Sequence, residues 1–194
     1  MEFEIIETNR LTLKGLTPEG MTDIFEQYSK SEIKKLLGHR SEEDYQKEAY
    51  KQQNGYSCYN RRFKLFLLTD KATGTIIGRC GLHNWNPEHS RAEIGYAMED
   101  EQYKRKGLMS EAVEAIIDHG FTKMELHRIE ALVGTWNIPS LRLMEKNNFI
   151  KEGVLREHWL TNGKLEDSVV FSRLYPEYKN DQAKKITVSR NGKG

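Results

Sequence analysis

The sequence predicts an α/β fold in which helices flank a mixed, strongly twisted central sheet. Three observations support this expectation. Between residues 92 and 148, a strand pattern, a glycine turn, a helix pattern, a second strand and a second helix follow one another as a βαβα unit. Two apolar segments, 64–68 and 75–82, are separated by a turn-like sequence and predict a hairpin. Asn162-Gly163 separates two more strand-like segments, and this dipeptide is the strongest short hairpin signal in the chain.

A basic segment precedes the first helix of the βαβα unit. Lys104, Arg105 and Lys106 are followed by Gly107, after which apolar residues recur at helical spacing. The N-terminus of a helix has unpaired backbone N–H groups and a partial positive charge, so it binds anions. Gly107 has no Cβ, so a ligand can approach the backbone closely there. The segment predicts a site for a diphosphate, and the alternative is a solvated basic turn.

Three motifs in this region resemble those of the GNAT superfamily of acyl-CoA-dependent N-acetyltransferases. The family's preceding strand falls on 92–96, and its Asn-x-x-Ser motif falls on 137–140. The continuation Ser110-Glu111-Ala112 is similar to the Rim-type ribosomal-protein N-terminal acetyltransferases. The family's pyrophosphate loop falls on Lys104, Arg105, Lys106, Gly107, Leu108 and Met109. The resemblance covers residues 10 to about 174 and implies the GNAT fold, with a mixed twisted sheet, a splayed strand pair and flanking helices.

The resemblance implies acetyl-CoA as the cofactor and no metal. The expected cofactor-binding residues are Tyr96, Ala97 and Met98 on the first strand, the six loop residues 104–109, and Asn137. The backbone N–H groups of 95–98 would polarise the thioester carbonyl if the strand splays. Two of these residues also have structural interpretations, because Gly95 can mark a β-bulge and Asn137 can simply cap a helix.

Three residues depart from the family pattern. Lys104 replaces a Gln or Arg, which keeps the charge but loses the planar guanidinium. Met109 occupies the last Gly/Ala position of the loop. Met144 stands where many members carry a tyrosine that protonates the departing thiolate, and a methionine has no proton to donate.

The catalytic residues expected from these motifs are Ser140 as the general acid and Glu93 as the general base. Ser140 lies one turn into the second helix and replaces the missing tyrosine in this role. Glu93 would accept the proton of the acceptor amine directly or through water, and Glu130 on the neighbouring strand is the alternative. His83 and Trp85, at the end of the first hairpin, are expected to bind the acceptor, although such residues are commonly structural.

The sequence therefore predicts an N-acetyltransferase that transfers acetyl directly to a primary amine in a ternary complex. The acceptor expected from the Rim-type resemblance is a protein N-terminal amine, of the Ala or Ser type. A small-molecule acceptor (a polyamine, aminoglycoside or amino acid) is the alternative, and a non-catalytic acyl-CoA sensor is a further one. Cys58 and Cys80 belong to none of these motifs, which argues against a covalent acetyl-enzyme and against a disulfide or zinc site.

Length and charge predict one domain over residues 1–178 and a basic, disordered tail over 179–194. The chain has 194 residues and a net charge of +1, so it is not predicted to bind nucleic acid by charge. The N-terminal segment lacks the pattern of a signal peptide, and no apolar run approaches the roughly 20 residues that span a membrane. We expect a cytoplasmic protein without membrane association, either a monomer or a homodimer.

Overall fold

The structure is a computed structural model that describes residues 3–54 and 62–191, with the backbone alone for 186–191. The chain divides into two compact units. The first contains residues 1–86 and 94–116, and the second contains 87–93 and 117–194.

The first unit contains a sheet and four helices. Three of the helices lie between the second and third strands in the sequence, and the fourth begins after the fifth strand. Its strands are ordered β1-β2-β3-β4-β5, and the first three neighbouring pairs are antiparallel. Its elements are β1 Ile5–Glu7, β2 Leu11–Leu16, α1 Pro18–Gln27, α2 Lys30–Leu37, α3 Glu42–Asn54, β3 Lys64–Asp70, β4 Ile76–Asn86, the C-terminal part of β5 (Arg91–Met98) and the start of α4 (Leu108–Thr122). A short 3-10 turn, Glu101–Tyr103, lies between β5 and α4. Met21, Ile24 and Ile33 from the helices pack with Leu16 and Leu67 from the strands in a buried apolar cluster.

The second unit has a mixed sheet in the order β5-β6-β8-β7. Its remaining elements are β6 Arg128–Gly134, α5 Ile138–Lys146, β7 Ile150–Thr161, β8 Lys164–Leu174 and α6 Tyr175–Asn191. β5 and β6 are parallel, and their ladder pairs Arg91–Glu93 with Arg128–Glu130 before β5 leaves it. This early end of the ladder is the predicted splay, and the predicted α/β class with a mixed sheet and flanking helices is confirmed.

Local sequence signals account for several element boundaries. Pro18 is the first residue of α1, and the Thr17 side chain caps that helix by accepting a hydrogen bond from Gly20 N. At α3, Asp44 N donates to Ser41 Oγ at 3.0 Å while Ser41 N donates to Asp44 at 2.9 Å, so Asp serves in the capping box. Asn162 and Gly163 have φ values of +50° and +78°, and two successive left-handed residues are what a tight β-hairpin requires.

Three of the helices and strands were not predicted from the sequence, namely β1, α2 and α6. β1 has only three residues, too few for a periodic pattern. α2 does carry a usable signal, because Glu32 accepts a hydrogen bond from Ser29 N at 2.8 Å in a Ser-x-x-Glu capping sequence.

The segment predicted as a disordered tail overlaps α6, which continues to Asn191. Asp181, in that segment, accepts hydrogen bonds from Arg173 at 2.8 Å and from Asn148 at 2.9 Å. The start of the segment is therefore attached to the second unit. The boundary at residue 178 stays a prediction, and residues 192–194 lie outside the described chain.

Candidate active site

The basic loop forms the N-terminal end of α4 in the first unit. Leu108, the first residue of the helix, is 5% exposed, whereas 104–107 are exposed. Gly107 has φ +76°, a left-handed conformation in which a side chain would be strained. Arg105 is also left-handed, at φ +59°. Neither of these left-handed conformations was predicted from the sequence.

A run of unpaired backbone donors lies on this loop. Among the described residues, none accepts a hydrogen bond from the backbone N–H groups of 105–110, and the first helical bond here is donated by Glu111 to Gly107 O at 3.1 Å. Exposed N–H groups at a helix N-terminus, beside left-handed residues, are the feature that anion sites use. The residues present therefore fit a diphosphate group.

The three basic side chains of the loop are in different environments. Lys104 forms an ion pair with Glu101, three residues before it. Lys106 lies over the Tyr103 ring, with its Nζ 5.6 Å from the ring centroid. Arg105 makes no hydrogen bond, ion pair or ring contact with the rest of the described chain. Arg105, rather than Lys104, is consequently the loop cation available to a phosphate.

A cavity of about 300 Å³ lies in the first unit, beside β5. His83, Gly95, Tyr96 and Ala97 line it together with residues of α1, α3, β3 and β4. A Cβ added at Gly95 would lie 2.9 Å from His83 Nε2, so the imidazole packs directly on the strand and would have to move if residue 95 had a side chain. The cavity wall is mostly apolar, as in ordinary ligand sites.

Charged side chains in this cavity are more often basic than acidic. Lys51, Lys64 and Arg79 line it beside a single carboxylate, Glu48, which is 5% exposed. Arg79 lies 3.5 Å from Glu48 and 2.7 Å from Glu99, and Lys51 lies 3.7 Å from Glu48. The buried carboxylate is thus compensated by two cations, as a buried charge must be. The sequence analysis missed Glu48 and Arg79, because a Glu on a polar helix and an Arg on a strand carry no local signal.

Asn137 and Ser140 lie at the N-terminus of α5, in the second unit. Asn137 Oδ1 accepts a hydrogen bond from Ser140 N at 3.3 Å, which is the helix-capping arrangement. The Ser140 hydroxyl makes no hydrogen bond to another described residue. Met144, at the position of the family tyrosine, is fully buried.

Glu93 and Glu130 are paired across the β5–β6 ladder. Glu130 Oε1 accepts a hydrogen bond from Arg91 at 2.9 Å, and its Oε2 accepts one from Arg128 at 3.0 Å. Because both oxygens of Glu130 are held by arginines, a proton accepted by this carboxylate would compete with two charged hydrogen bonds, which makes it poorly suited to act as a base.

The structure places some of the predicted residues on one cavity and assigns others to different units. His83, Tyr96 and Ala97 line one cavity, whereas Trp85 is not among its lining residues. Glu93, Asn137 and Ser140 belong to the second unit, while the loop 104–109 and Met98 belong to the first.

The structure does not place Cys80 as a nucleophile. Cys80 is fully buried, and burial raises the pKa of its thiol well above the ordinary value. Cys58 lies outside the described residues. Within the described chain, no helix is long and apolar enough to cross a membrane, and no group of three or more His, Cys, Asp or Glu side chains is arranged as a metal site.

Comparison with known proteins decides the family. Residues 10–150 match the profile of the acetyltransferase (GNAT) domain, which is more than two thirds of the chain. The chain belongs to the GNAT acetyltransferase family. As a GNAT protein it is similar to p20, an uncharacterized N-acetyltransferase of Bacillus licheniformis, with 34% identity over 91% of this chain and 99% of the relative.

Two further similarities carry specific names. A ribosomal-protein-serine acetyltransferase of Escherichia coli (strain K12) is 29% identical over 70% of this chain and 73% of its own length. A solved structure of a mutant spermidine N-acetyltransferase, SpeG from Vibrio cholerae, superposes with a TM-score of 0.67, covering 90% of this chain and 99% of its own. Its identity is 22%, so it establishes the shared GNAT fold alone. This GNAT protein is an acyltransferase enzyme.

Proposed function

We propose that this enzyme transfers acetyl from acetyl-CoA to the N-terminal amine of a protein whose first residue is Ala or Ser. The observation that supports CoA as the cofactor is the run of backbone N–H groups at 105–110 that have no acceptor among the described residues, beside left-handed Gly107. Acetyl-CoA, when bound, supplies the acetyl thioester. The residues that would hold it are those of the loop 104–109, with Arg105 pairing with phosphate, together with Tyr96, Ala97, Met98 and Asn137.

The cavity beside β5 supports the acceptor proposal. The lysine, arginine and glutamate side chains that line it are already in ion pairs, Lys64 with Glu4 and Arg79 with Glu48 and Glu99, so the lining offers no excess of negative charge to a polycation such as a polyamine. A peptide N-terminus brings a single amine and a small side chain, which suit a small cavity with a largely apolar wall. The similarity to a ribosomal-protein-serine acetyltransferase agrees with this acceptor class.

The chemical step requires one proton to leave the amine and one to reach the sulfur. Glu93 accepts the amine proton, directly or through water, as the new N–C bond forms. The Ser140 hydroxyl donates a proton to the sulfur as the C–S bond breaks, because buried Met144 has none to give. Direct transfer needs no covalent enzyme intermediate, which agrees with the buried thiol of Cys80.

A substrate panel tests this proposal. The purified enzyme is given acetyl-CoA with Ala- and Ser-initiated peptides, the same peptides with a blocked N-terminus, spermidine, an aminoglycoside and free amino acids. We expect free-thiol release and a single acetyl on the α-amine of the unblocked peptides alone, read by mass spectrometry. Preferred acetylation of spermidine, the aminoglycoside or an amino acid would replace the proposal with a small-molecule enzyme. CoA binding without acetylation of any amine would indicate a sensor.

The same assay tests the base. Glu93→Gln is expected to lower turnover most near neutral pH and to recover at higher pH, where the neutral amine is abundant. Glu130→Gln is the matched control, because it removes the carboxylate opposite Glu93 in the ladder. An unchanged pH profile in Glu93→Gln, at reduced amplitude, would make Glu93 a positioning residue.

A further inference from the structure

A residue far from the loop in sequence holds its geometry. Arg10, in the turn between β1 and β2, donates from Nη1 to the Lys106 carbonyl at 2.9 Å. Its Nη2 lies 3.6 Å from the position that a Cβ at Gly107 would occupy. The guanidinium therefore lies against the two residues at the centre of the loop.

Glu111, in the first turn of α4, fixes that guanidinium. Its Oε2 accepts a hydrogen bond from Arg10 Nε at 2.7 Å, and its Oε1 accepts one from Arg10 N at 2.7 Å. Thr8 Oγ1 donates to the same Oε1 at 2.7 Å. Burial acts to raise the pKa of Glu111, but these hydrogen bonds outweigh it and leave the pKa below its ordinary value, so the carboxylate is charged at neutral pH.

The turn that carries Arg10 is itself held in place. Leu11 N donates a hydrogen bond to Thr8 Oγ1 at 3.0 Å. The Leu11 side chain is fully buried at the start of β2. Lys71 N donates to the Arg10 carbonyl at 3.0 Å. A planar guanidinium on this rigid support can bond a carboxylate and a carbonyl at once, which a lysine ammonium does less well.

We propose that Arg10 and Glu111 are positioning residues of the cofactor loop, which hold the Lys106 carbonyl so that the N–H groups of 105–110 are directed at the diphosphate of CoA. This inference rests on the proposed function, since it assumes that the loop binds CoA. It assigns a role in cofactor affinity to two residues outside the loop 104–109.

Arg10→Lys tests the proposal, because it keeps the charge beside Glu111 and loses the bond to Lys106. Losing one such bond is expected to raise the Kd of CoA and the KM of acetyl-CoA roughly threefold to tenfold. Turnover at saturating acetyl-CoA and the KM of the acceptor should be unchanged. Acetylpantetheine, which lacks the diphosphate, should react equally well with both enzymes.

The matched control is Arg40→Lys. Arg40 also pairs with a carboxylate, Asp100 at 3.0 Å, and donates to a carbonyl, that of Glu99 at 3.4 Å, but it has no bond to 104–109. Arg40→Lys should lower the melting temperature about as much as Arg10→Lys does and leave the affinity for CoA unchanged. If Arg10→Lys does not fold, Glu111→Gln gives the same reading.

The outcomes separate the two proposals. Wild-type enzyme that binds no CoA would overturn the proposed function. Two other results would overturn this inference alone. In the first, the wild-type enzyme binds CoA and folded Arg10→Lys binds it with equal affinity. In the second, Arg40→Lys loses as much affinity for CoA as Arg10→Lys does.

Discussion

Single side chains in α5 show how one residue can serve both fold and chemistry. Asn137 caps the helix through Ser140 N, and the same cap leaves the Ser140 hydroxyl without a partner among the described residues. Met144, which replaces the usual proton donor, is buried and contributes only packing. The helix can therefore lose the Ser140 hydroxyl without losing its cap.

Ser140→Ala is expected to lower turnover roughly 10²- to 10³-fold, within the range for a positioned acid. The KM of acetyl-CoA and the melting temperature should stay near wild type, because the substitution removes no hydrogen bond to a described residue. Thiol release under saturating acetyl-CoA measures the effect. Ser31→Ala is the control, because Ser31 lies in the first turn of α2 as Ser140 lies in the first turn of α5. Turnover equal to the control would remove Ser140 from the mechanism.

The loop at the start of α4 is the element in which sequence and structure agree most directly. The order of basic residues, Gly107 and a helix pattern was enough to predict the helix start, whereas the left-handed conformations of Arg105 and Gly107 were not predicted. The hydrogen bonds between Arg10 and Glu111 were not predictable, since the two residues are 101 positions apart and local patterns carry no information about such pairs. The same limit applies to Glu48 and Arg79, which meet through the packing of α3 on β4.

Gly107→Val tests the loop, and Gly74→Val is its matched control. Both glycines are left-handed, at φ +76° and +69°. The Cβ position has no neighbour within 4 Å at Gly74, and at Gly107 it has an ordinary contact with Arg10 Nη2 at 3.6 Å. Each variant should lose about 1–2 kcal/mol from the strained backbone. In wild type, CoA at about 100 times its Kd should add about 2.7 kcal/mol, or several degrees in Tm.

That CoA-induced shift in Tm should persist in Gly74→Val and disappear in Gly107→Val. Thermal denaturation with and without CoA measures, for each variant, the stability lost through the substitution and the shift in Tm caused by CoA. Retention of the shift in Gly107→Val would show that the loop does not bind CoA.

For the molecule as a whole, the sequence predicted the class and the strand-rich centre better than the periphery. The βαβα unit and both hairpins have strong periodicity or turn chemistry, and each is present at nearly the predicted bounds. β1 is too short to show a period, and α6 extends into a segment whose polar composition predicted disorder. Composition alone does not show that Asp181 has two partners on other elements.

Acid should destabilise the protein through an ion pair that joins three strands. Arg128 on β6 forms two hydrogen bonds to Glu152 on β7, at 2.8 and 2.6 Å, and Ser172 on β8 adds one at 2.6 Å. The Arg128 guanidinium, and then the Ser172 hydroxyl, lower the pKa of Glu152 from 4.5 to about 2. A carboxyl whose pKa is lower in the folded than in the unfolded state stabilises the fold above its unfolded pKa.

The contribution of Glu152 should therefore be complete above about pH 5 and disappear as the pH falls from 4.5 to about 2. Because the side chain is 41% exposed, solvent screening limits it to about 1 kcal/mol or less, equivalent to roughly 2–4 °C in Tm. Glu152→Gln should lower Tm by that amount at pH 7 and match wild type near pH 2.5. Glu43→Gln, which breaks an exposed pair within α3, should change little at either pH. A Glu152→Gln deficit that persists undiminished at pH 2.5 would mean that the Glu152 side chain stabilises the sheet by packing and neutral hydrogen bonds rather than by its charge.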